Sequence, residues 1–529
     1  MGADKMNVKN RISHLLYDNM LYQDRTSMYR MWGLYLYQGF ADGAFFNQKA
    51  LPDELGHYND FFTVKEYDHE GKELAQERKK KTINMTYIVS TLIRTLVMNE
   101  GFQVTIDNDN NLGDDNNPKY EKATFFDNVL KHNNFYSREG DLLEYTIAMG
   151  DNLKVIWFDP EEDDPEKKPK ISFVKGNKFE IVRHHNGQPK SVLVTTVKEV
   201  MEKTKLGRKQ KVYYHLLELH EIKKENYQIK REIYKGESRY QLKHQLSFAN
   251  TAHEFGLREG KETELFEDTT PLFVYTRNPI ANNKDLDSPR GLGMTINAAD
   301  IMDAINTAFD RDTMETEDAA FKIILPQDWL NTTYDLDTGK NIRFFNAKTR
   351  MYAGVNAEDG VMTKPEVFAP TMRTEQYEQK IENGQKRFAK EIKISPQTFS
   401  YDPQTQTTAT QVKLEHGETH SLRNEIIKEL RNKWGDMLYI IYKYGKRLGV
   451  IDFELEREDI DIHFPDGVTI DDETKFKQDM EAVKGEVISK DTFRRRHYQM
   501  NSDESNAESE KIDNQTAGFE PDEFLGDET

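Results

Sequence analysis

The stretch PRGLGMTINAADIMDAINTAFDRDTMETED, residues 289–318, decides the architecture. Ile301, Ile305 and Phe309 recur at i, i+4 and i+8, which lays an apolar stripe along one face of a helix. Off that stripe stand Asp300, Asp303, Asp310, Asp312, Glu315, Glu317 and Asp318, with Arg311 the single base among them. The pattern predicts one helix over 289–318 that packs by its stripe and carries carboxylates elsewhere. An ordinary solvated helix face has the same composition, so the acids alone do not assign a role.

Toward the C terminus, 319–370 reads as short strands and turns, with strands at 321–325, 342–345 and 367–368, and 371–394 predicts a second helix. Residues 395–408, SPQTFSYDPQTQTT, form a connection longer than most between helices. It contains no Lys, Arg or Glu, and Asp402 is its only acid. Thr408 and Gln411 make a capping box that opens a long helix, apolar along Leu422, Ile426, Leu430, Trp434, Leu438 and Ile441 and closed by Gly449. A strand-like stretch follows, then helices at 472–484 and 489–499, then an acid-rich tail whose last part, 514–529, is expected to be disordered.

Toward the N terminus, helices are predicted at 8–40, 82–99, 119–132 and 137–149, with a polar loop at 107–117. The period then changes. Short β-rich runs stand at 153–158, 171–174, 179–182, 192–196, 212–219 and 227–234. The acidic segment 159–166 and the basic segment 203–211 read as solvated excursions.

The 529 residues are 36% hydrophobic and 31% charged, a thin core for the length, which suggests an elongated or multi-part molecule burying surface against neighbours. The absence of cysteine excludes disulfides, thiol nucleophiles and Cys-ligated metals. The opening MGADKMNVKN has no apolar signal core and no apolar run reaches membrane-spanning length, so a soluble chain without a membrane partner is expected. The net charge of −19 argues against a tight nucleic-acid clamp, whose phosphate contacts call for bases. Acidic walls would instead suit DNA that has to slide past.

Three motifs approach known chemistry and stop short. His416 and His420 have the i, i+4 spacing of metal ligands, but Gly417 stands where a zinc hydrolase needs Glu. GLREGKET at 256–263 resembles a phosphate loop one residue short, with Glu262 where the magnesium-binding hydroxyl belongs. Asp107, Asp109 and Asn111 begin like a calcium loop, but Leu112 replaces the required Gly and Pro118 the bidentate Glu. No catalytic constellation is evident. A non-enzymatic protein without cofactor or metal is expected; the alternatives are a structural or scaffold protein that binds partners but conducts no DNA, or a metal-dependent hydrolase using His416 and His420.

The order of parts resembles the portal proteins of tailed double-stranded DNA bacteriophages, of the type found in long-tailed phages of Gram-positive hosts. The resemblance is carried by GLG at 291–293 with NAADIMDAINTAFDRDTMETE at 297–317, by TATQVK at 408–413, and by GEVISKDTF at 485–493. It implies an α+β portal fold: a wing of N-terminal helices and a β-rich part (1–288), stem helices (289–318 and 371–394), a small α/β clip (319–370), a tunnel loop (395–408), a long wing helix (409–449), a helical crown (450–513) and an acidic tail. It further implies a homododecameric ring at one capsid vertex of the virion, assembled in the host cytoplasm. Through the ring double-stranded DNA would pass without sequence specificity during packaging and ejection. The expected partners are the terminase motor, then head-completion or adaptor proteins, and the major capsid and scaffold proteins. Within that frame Gln397, Phe399, Tyr401, Gln404 and Gln406 are candidates for sliding contacts with DNA, and Asp300, Asp303, Asp310 and Glu317 for lining the channel.

Overall fold

The computed structural model describes residues 25–39, 61–67, 73–99, 101–106, 118–157, 169–203, 208–238, 242–257, 261–319, 322–325, 332–335, 340–343, 351–353, 366–368, 371–399, 417–464, 472–485 and 487–498, with a few positions between 505 and 512. The fold is α+β. The chain divides into two compact units: residues 1–31, 90–293 and 423–529 form one, and 32–89 with 294–422 form the other. Among the described residues no helix is long and apolar enough to cross a membrane.

The first unit holds helices α3 (Pro118–His132) and α4 (Phe135–Met149), followed directly by strand β4 (Asp151–Trp157). β4 is the centre of an antiparallel sheet, with β5 (Lys170–Lys175) on one side and β12 (Phe273–Arg277) on the other. A second antiparallel sheet is a meander of β6 (Phe179–His185), β7 (Gln188–Lys203), β8 (Lys209–Ile222), β9 (Tyr227–Gly236) and β10 (His244–Leu246), with β11 (Thr263–Phe266) also on β9. β7 and β8 are much longer than the runs at 192–196 and 212–219, and they take in Lys203 and 209–211 of the basic segment expected to be a solvated loop. In the outer half of β7, Val197 and Val200 are half-buried and Met201 is exposed among charged residues, and β8 opens on exposed Lys209, Gln210 and Lys211, so hydrophobic alternation gives little signal there. Cross-strand pairs such as Lys211 with Glu199, at 2.8 Å, supply the pairing instead.

The core of this unit centres on Trp434 of the long helix α7 (Gly417–Arg447), ringed by Phe102, Phe135 and Phe464 at centroid distances of 4.5 to 5.3 Å. The indole N–H donates to Glu139 Oε1 at 2.9 Å, and Lys154, fully buried, pairs with the same oxygen at 2.8 Å. A charge pair survives in this core because each member has a partner within hydrogen-bonding distance.

The helix predicted over 289–318 is shorter than the pattern suggests. A 3₁₀ turn at Ile296–Ala298 leads into α5 (Ala299–Asp318), and 289–295 is not helical. The reason lies in Arg290, which is buried and makes a bidentate pair with Asp151 (2.9 and 3.0 Å), a pair with Glu180 (3.1 Å), and hydrogen bonds to the carbonyls of Gly176 and Phe179. Glu180 also pairs with buried Arg30 of α1 (Arg25–Gln38). Beside Arg290, the backbones of Gly291 and Gly150 approach so closely that a Cβ on Gly291 would stand 2.1 Å from the Gly150 carbonyl oxygen. Gly150, at φ 111°, also adopts a conformation that other residues rarely take. Helical geometry at 290–291 would break both contacts.

The remaining predicted helices are present where described, at α2 (Met85–Met98), α6 (Thr374–Glu391), α8 (Asp472–Lys484) and α9 (Lys490–Tyr498). Residues 8–24, 107–117, 159–166, 409–416 and 514–529 lie outside the described residues.

Replacing Arg290 with Ala leaves Asp151 and Glu180 buried without their shared cation, which is expected to cost about 3–5 kcal/mol. Arg290→Lys should not restore it, because an ammonium cannot reproduce the bidentate fork. Denaturant titration of both variants checks this; a wild-type midpoint for either would refute the assignment.

Candidate nucleic-acid interface

The acidic helix and the segment after its partner helix both belong to the second unit. α5 packs against α6 with Ile305 buried between them, while Met302, also buried, meets Thr86 of α2 at 3.6 Å. The two run antiparallel. At their closest point a Cβ on Gly384 would lie 2.6 Å from Ile305 Cγ1, so the missing side chain is the space that Ile305 fills.

The polar flank of α5 is stapled to the end of a hairpin, β1 (Thr63–Tyr67) and β2 (Glu73–Lys79), and to the residues after it. Arg78 donates both terminal nitrogens to Asp310, at 2.8 and 2.7 Å, and the Lys81 backbone N–H adds a third bond at 2.8 Å. Lys80 reaches Asp303 at 3.0 Å and Thr307 at 3.2 Å. The Ile83 N–H donates to Asn306 Oδ1 at 2.9 Å. Burial by itself would raise the Asp310 carboxyl, but the hydrogen bonds from Arg78 and Lys81 and the charges of Arg78 and Lys80 outweigh it and hold it below its ordinary value. At the far end of α5, Glu315 accepts from the backbone N–H (3.0 Å), Nε (3.2 Å) and Nη2 (2.8 Å) of Arg373 just before α6. Those bonds, led by the Arg373 side chain, bring the Glu315 carboxyl down to about 2.

The structure therefore sorts the acids that sequence reasoning grouped together. Asp310 is buried and held by Arg78, and Asp303 is paired with Lys80. Both are thus paired with bases of the hairpin and the residues after it, and the Asp303 side chain remains 41% exposed. Asp300 is exposed, and the Glu317 side chain lies outside the described residues. Arg78, Lys80 and Arg373 were missed as partners. A signal did exist: RKKK at 78–81 is a dense basic run in an acidic chain and the natural counterpart of an acidic helix.

α6 ends with Lys393 in the left-handed region (φ 59°), the Ile394 N–H bonding back to Ala389 at 2.9 Å and the Lys393 N–H to Lys390 at 3.2 Å. This is a Schellman closure formed without glycine. A 3₁₀ turn at Pro396–Phe399 follows, anchored by the Ser395 N–H on Thr419 Oγ1 (2.9 Å) and by Phe399 packed edge-on against buried Phe388 (6.1 Å). The segment expected to be a loop from 395 onward thus begins as a fixed turn. Gln397 is exposed on it and Phe399 is half-buried, while Tyr401, Gln404 and Gln406 lie outside the described residues.

His420 is half-buried in the first turn of α7 and His416 lies outside the described residues. Among the described residues no three His, Asp or Glu side chains converge as a metal site would require. Thr263 opens strand β11 rather than a helix, so the phosphate-loop resemblance lacks the helix N-terminus that would hold a phosphate. Asp107, Asp109 and Asn111 fall outside the described residues.

Arg78→Ala and Asp310→Ala should each destabilise this unit by about 2 kcal/mol, a charge-assisted bond lost at a mostly buried site. The folded Asp310 carboxyl is depressed, so its contribution is fully present above the ordinary Asp value near 4 and disappears as pH falls through the lower folded value. Melting curves should show wild type and Asp310→Ala well separated at neutral pH and converging below about pH 4. A gap independent of pH would refute the role of the charge.

No curated protein sequence matches the chain. The family described as "Phage portal protein, SPP1 Gp6-like" matches residues 49–519, spanning the hairpin, both packed helices, the turn after them and the long helix. The chain belongs to this family of phage portal proteins and is a structural component of a bacteriophage virion.

Proposed function

We propose that the protein assembles into a closed dodecameric ring at one capsid vertex and serves as the channel through which double-stranded DNA enters during packaging and leaves during ejection. The observation that carries this reading is the portal match across nearly the whole chain, over a clamped antiparallel helix pair that leads into a fixed turn and an amide-rich segment. Symmetry turns any exposed acid into a ring of like charge. Such a ring repels DNA weakly everywhere and offers it no deep well in which to stall. Asp300 and Glu317 are the carboxylates we assign to that surface; Asp303 and Asp310 support the helix behind it.

Gln397, Tyr401, Gln404 and Gln406 are assigned to sliding contact, since neutral amides and a phenol exchange hydrogen bonds with phosphates without holding them. Phe399 anchors the base of the segment. No residue pattern supplies an energy source, so the terminase motor drives translocation from outside. It docks on the segment between the two packed helices and is later replaced there by head-completion or adaptor proteins. The remaining surface meets the major capsid and scaffold proteins.

Electron microscopy of the purified protein should show rings with a central opening, and class averages should count the subunits. A chain that stays monomeric at high concentration across salt conditions would sink this reading. Removal of residues 400–408 should leave rings intact but abolish packaging in a complementation assay; normal packaging would refute the sliding-contact role.

A further inference from the structure

The chain contains the tripeptide Asn-Gly-Gln twice, at 186–188 and at 383–385. Both asparagines are exposed, so access to water does not separate them. Their backbones do. Asn186 (φ 50°) and Gly187 (φ 73°) are the two central residues of the tight turn between β6 and β7, with His185 paired across it to Gln188. Asn383 and Gly384 lie in the middle of α6, and Gly384 forms the gap that Ile305 fills.

Asparagine is chemically labile because the backbone nitrogen of the next residue attacks its side-chain amide. A following glycine has no Cβ to obstruct that approach. The attack needs rotation about the Cα–C bond of the asparagine, to bring the nitrogen onto Cγ. At the turn little opposes it. A Cβ on Gly187 would meet nothing within 4 Å, and in a two-residue turn the Gly187 N–H takes no part in the hydrogen bonds that close the hairpin. The ladder below the turn is irregular. Its register shifts between Ile181 and Arg183 and again between Arg183 and His184, and Pro189, opposite His184, has no N–H to give. At 383 the same rotation would break the helical bond from the Gly384 N–H to the Lys380 carbonyl. It would also move Gly384 against Ile305, whose Cγ1 stands 2.6 Å from where a Cβ would be.

We propose that Asn186 is a site of spontaneous deamidation in the folded protein, and that the fold withholds the same chemistry from Asn383. The Gly187 nitrogen attacks Asn186 Cγ and a new C–N bond closes a cyclic imide. The side-chain nitrogen leaves as ammonia, taking with it the hydrogen that the Gly187 nitrogen gives up. Water then adds to one of the two imide carbonyls. Cleavage on the side-chain side leaves Asp at 186 in an unaltered main chain. Cleavage on the main-chain side leaves isoaspartate, with the main chain rerouted through Cβ and Cγ. Nothing is oxidised or reduced, and water is the only co-reactant. The two products differ in what they do to the hairpin. Asp-Gly suits the same turn as Asn-Gly. Isoaspartate adds a backbone atom to the turn, and the pairing of His185 with Gln188 is lost, because turn length sets the register. The inference does not depend on the channel reading.

The test uses the unmutated full-length protein, so no variant has to fold. One sample is held folded at mildly alkaline pH, where the attacking nitrogen loses its proton more readily, and a second is held in denaturant at the same pH. Both are digested at intervals and the peptides weighed for exchange of an amide NH2 for a hydroxyl. In the folded sample Asn186 should convert at least about ten-fold faster than Asn383, because a hairpin tip opens far more often than the middle of a packed helix. In denaturant the two rates should converge, since the tripeptide is the same. Equal rates in the folded protein would overturn the proposal. So would an Asn186 that keeps its amide while the denatured chain converts. A difference that persists undiminished in denaturant would also overturn it, by giving the selection to flanking residues instead of the fold.

Discussion

The first unit depends on placing one guanidinium in the dark. Arg290 has no water to solvate it, so Asp151, Glu180 and two backbone carbonyls must reach it together. Those groups come from the start of the central strand, the first strand of the meander, and the short turn before it. A single cation therefore sets where two sheets stand relative to each other. Glu180 extends the constraint to Arg30 and so to α1. The glycine contact at 150 and 291 is its geometric counterpart, because it lets the strap carrying Arg290 run backbone to backbone against the turn between α4 and β4. Such a network adds little net stability over an apolar core of the same shape, but losing one member leaves the others buried and unpaired.

The acidic helix illustrates how little a count of charges says about their use. Three of the seven acids on α5 are held in ion pairs: Asp310 and Asp303 bind the hairpin and the residues after it, and Glu315 binds the start of α6. The net charge of −19 therefore says nothing of which acids are already paired and which stand in solvent; what matters is the local balance on each face.

Much of this was legible in the residues. Apolar periodicity located α2 and α4 to within a few positions, because each buries one face and the pattern records that burial; α6, α8 and α9 also stand within a few positions of where they were expected. The alternation of fold class along the chain, helices then strands then helices, was likewise readable. Three things were not. The outer halves of β7 and β8 interleave charged residues with Val197, Val200, Met201 and Val212, so pairing across the ladder rather than full burial of one face makes them strands. The start of α5 was misplaced because 289–295 has nothing that forbids a helix locally; Arg290 and Gly291 are held out of one by partners more than a hundred residues away. The roles of Asp303 and Asp310 depended on Arg78 and Lys80, over two hundred residues upstream, a distance that no local pattern spans.

The notch at Gly384 has a mechanical meaning. Ile305 sits in it as a pawl sits in a ratchet tooth. One helical turn along α6 in either direction the notch is replaced by Lys380 or Phe388, so sliding α5 by about 5.4 Å would drive Ile305 into a side chain instead of a gap. Sliding is therefore opposed by sterics on the Phe388 side above all, where the buried ring leaves no room, and the notch fixes the register of the pair.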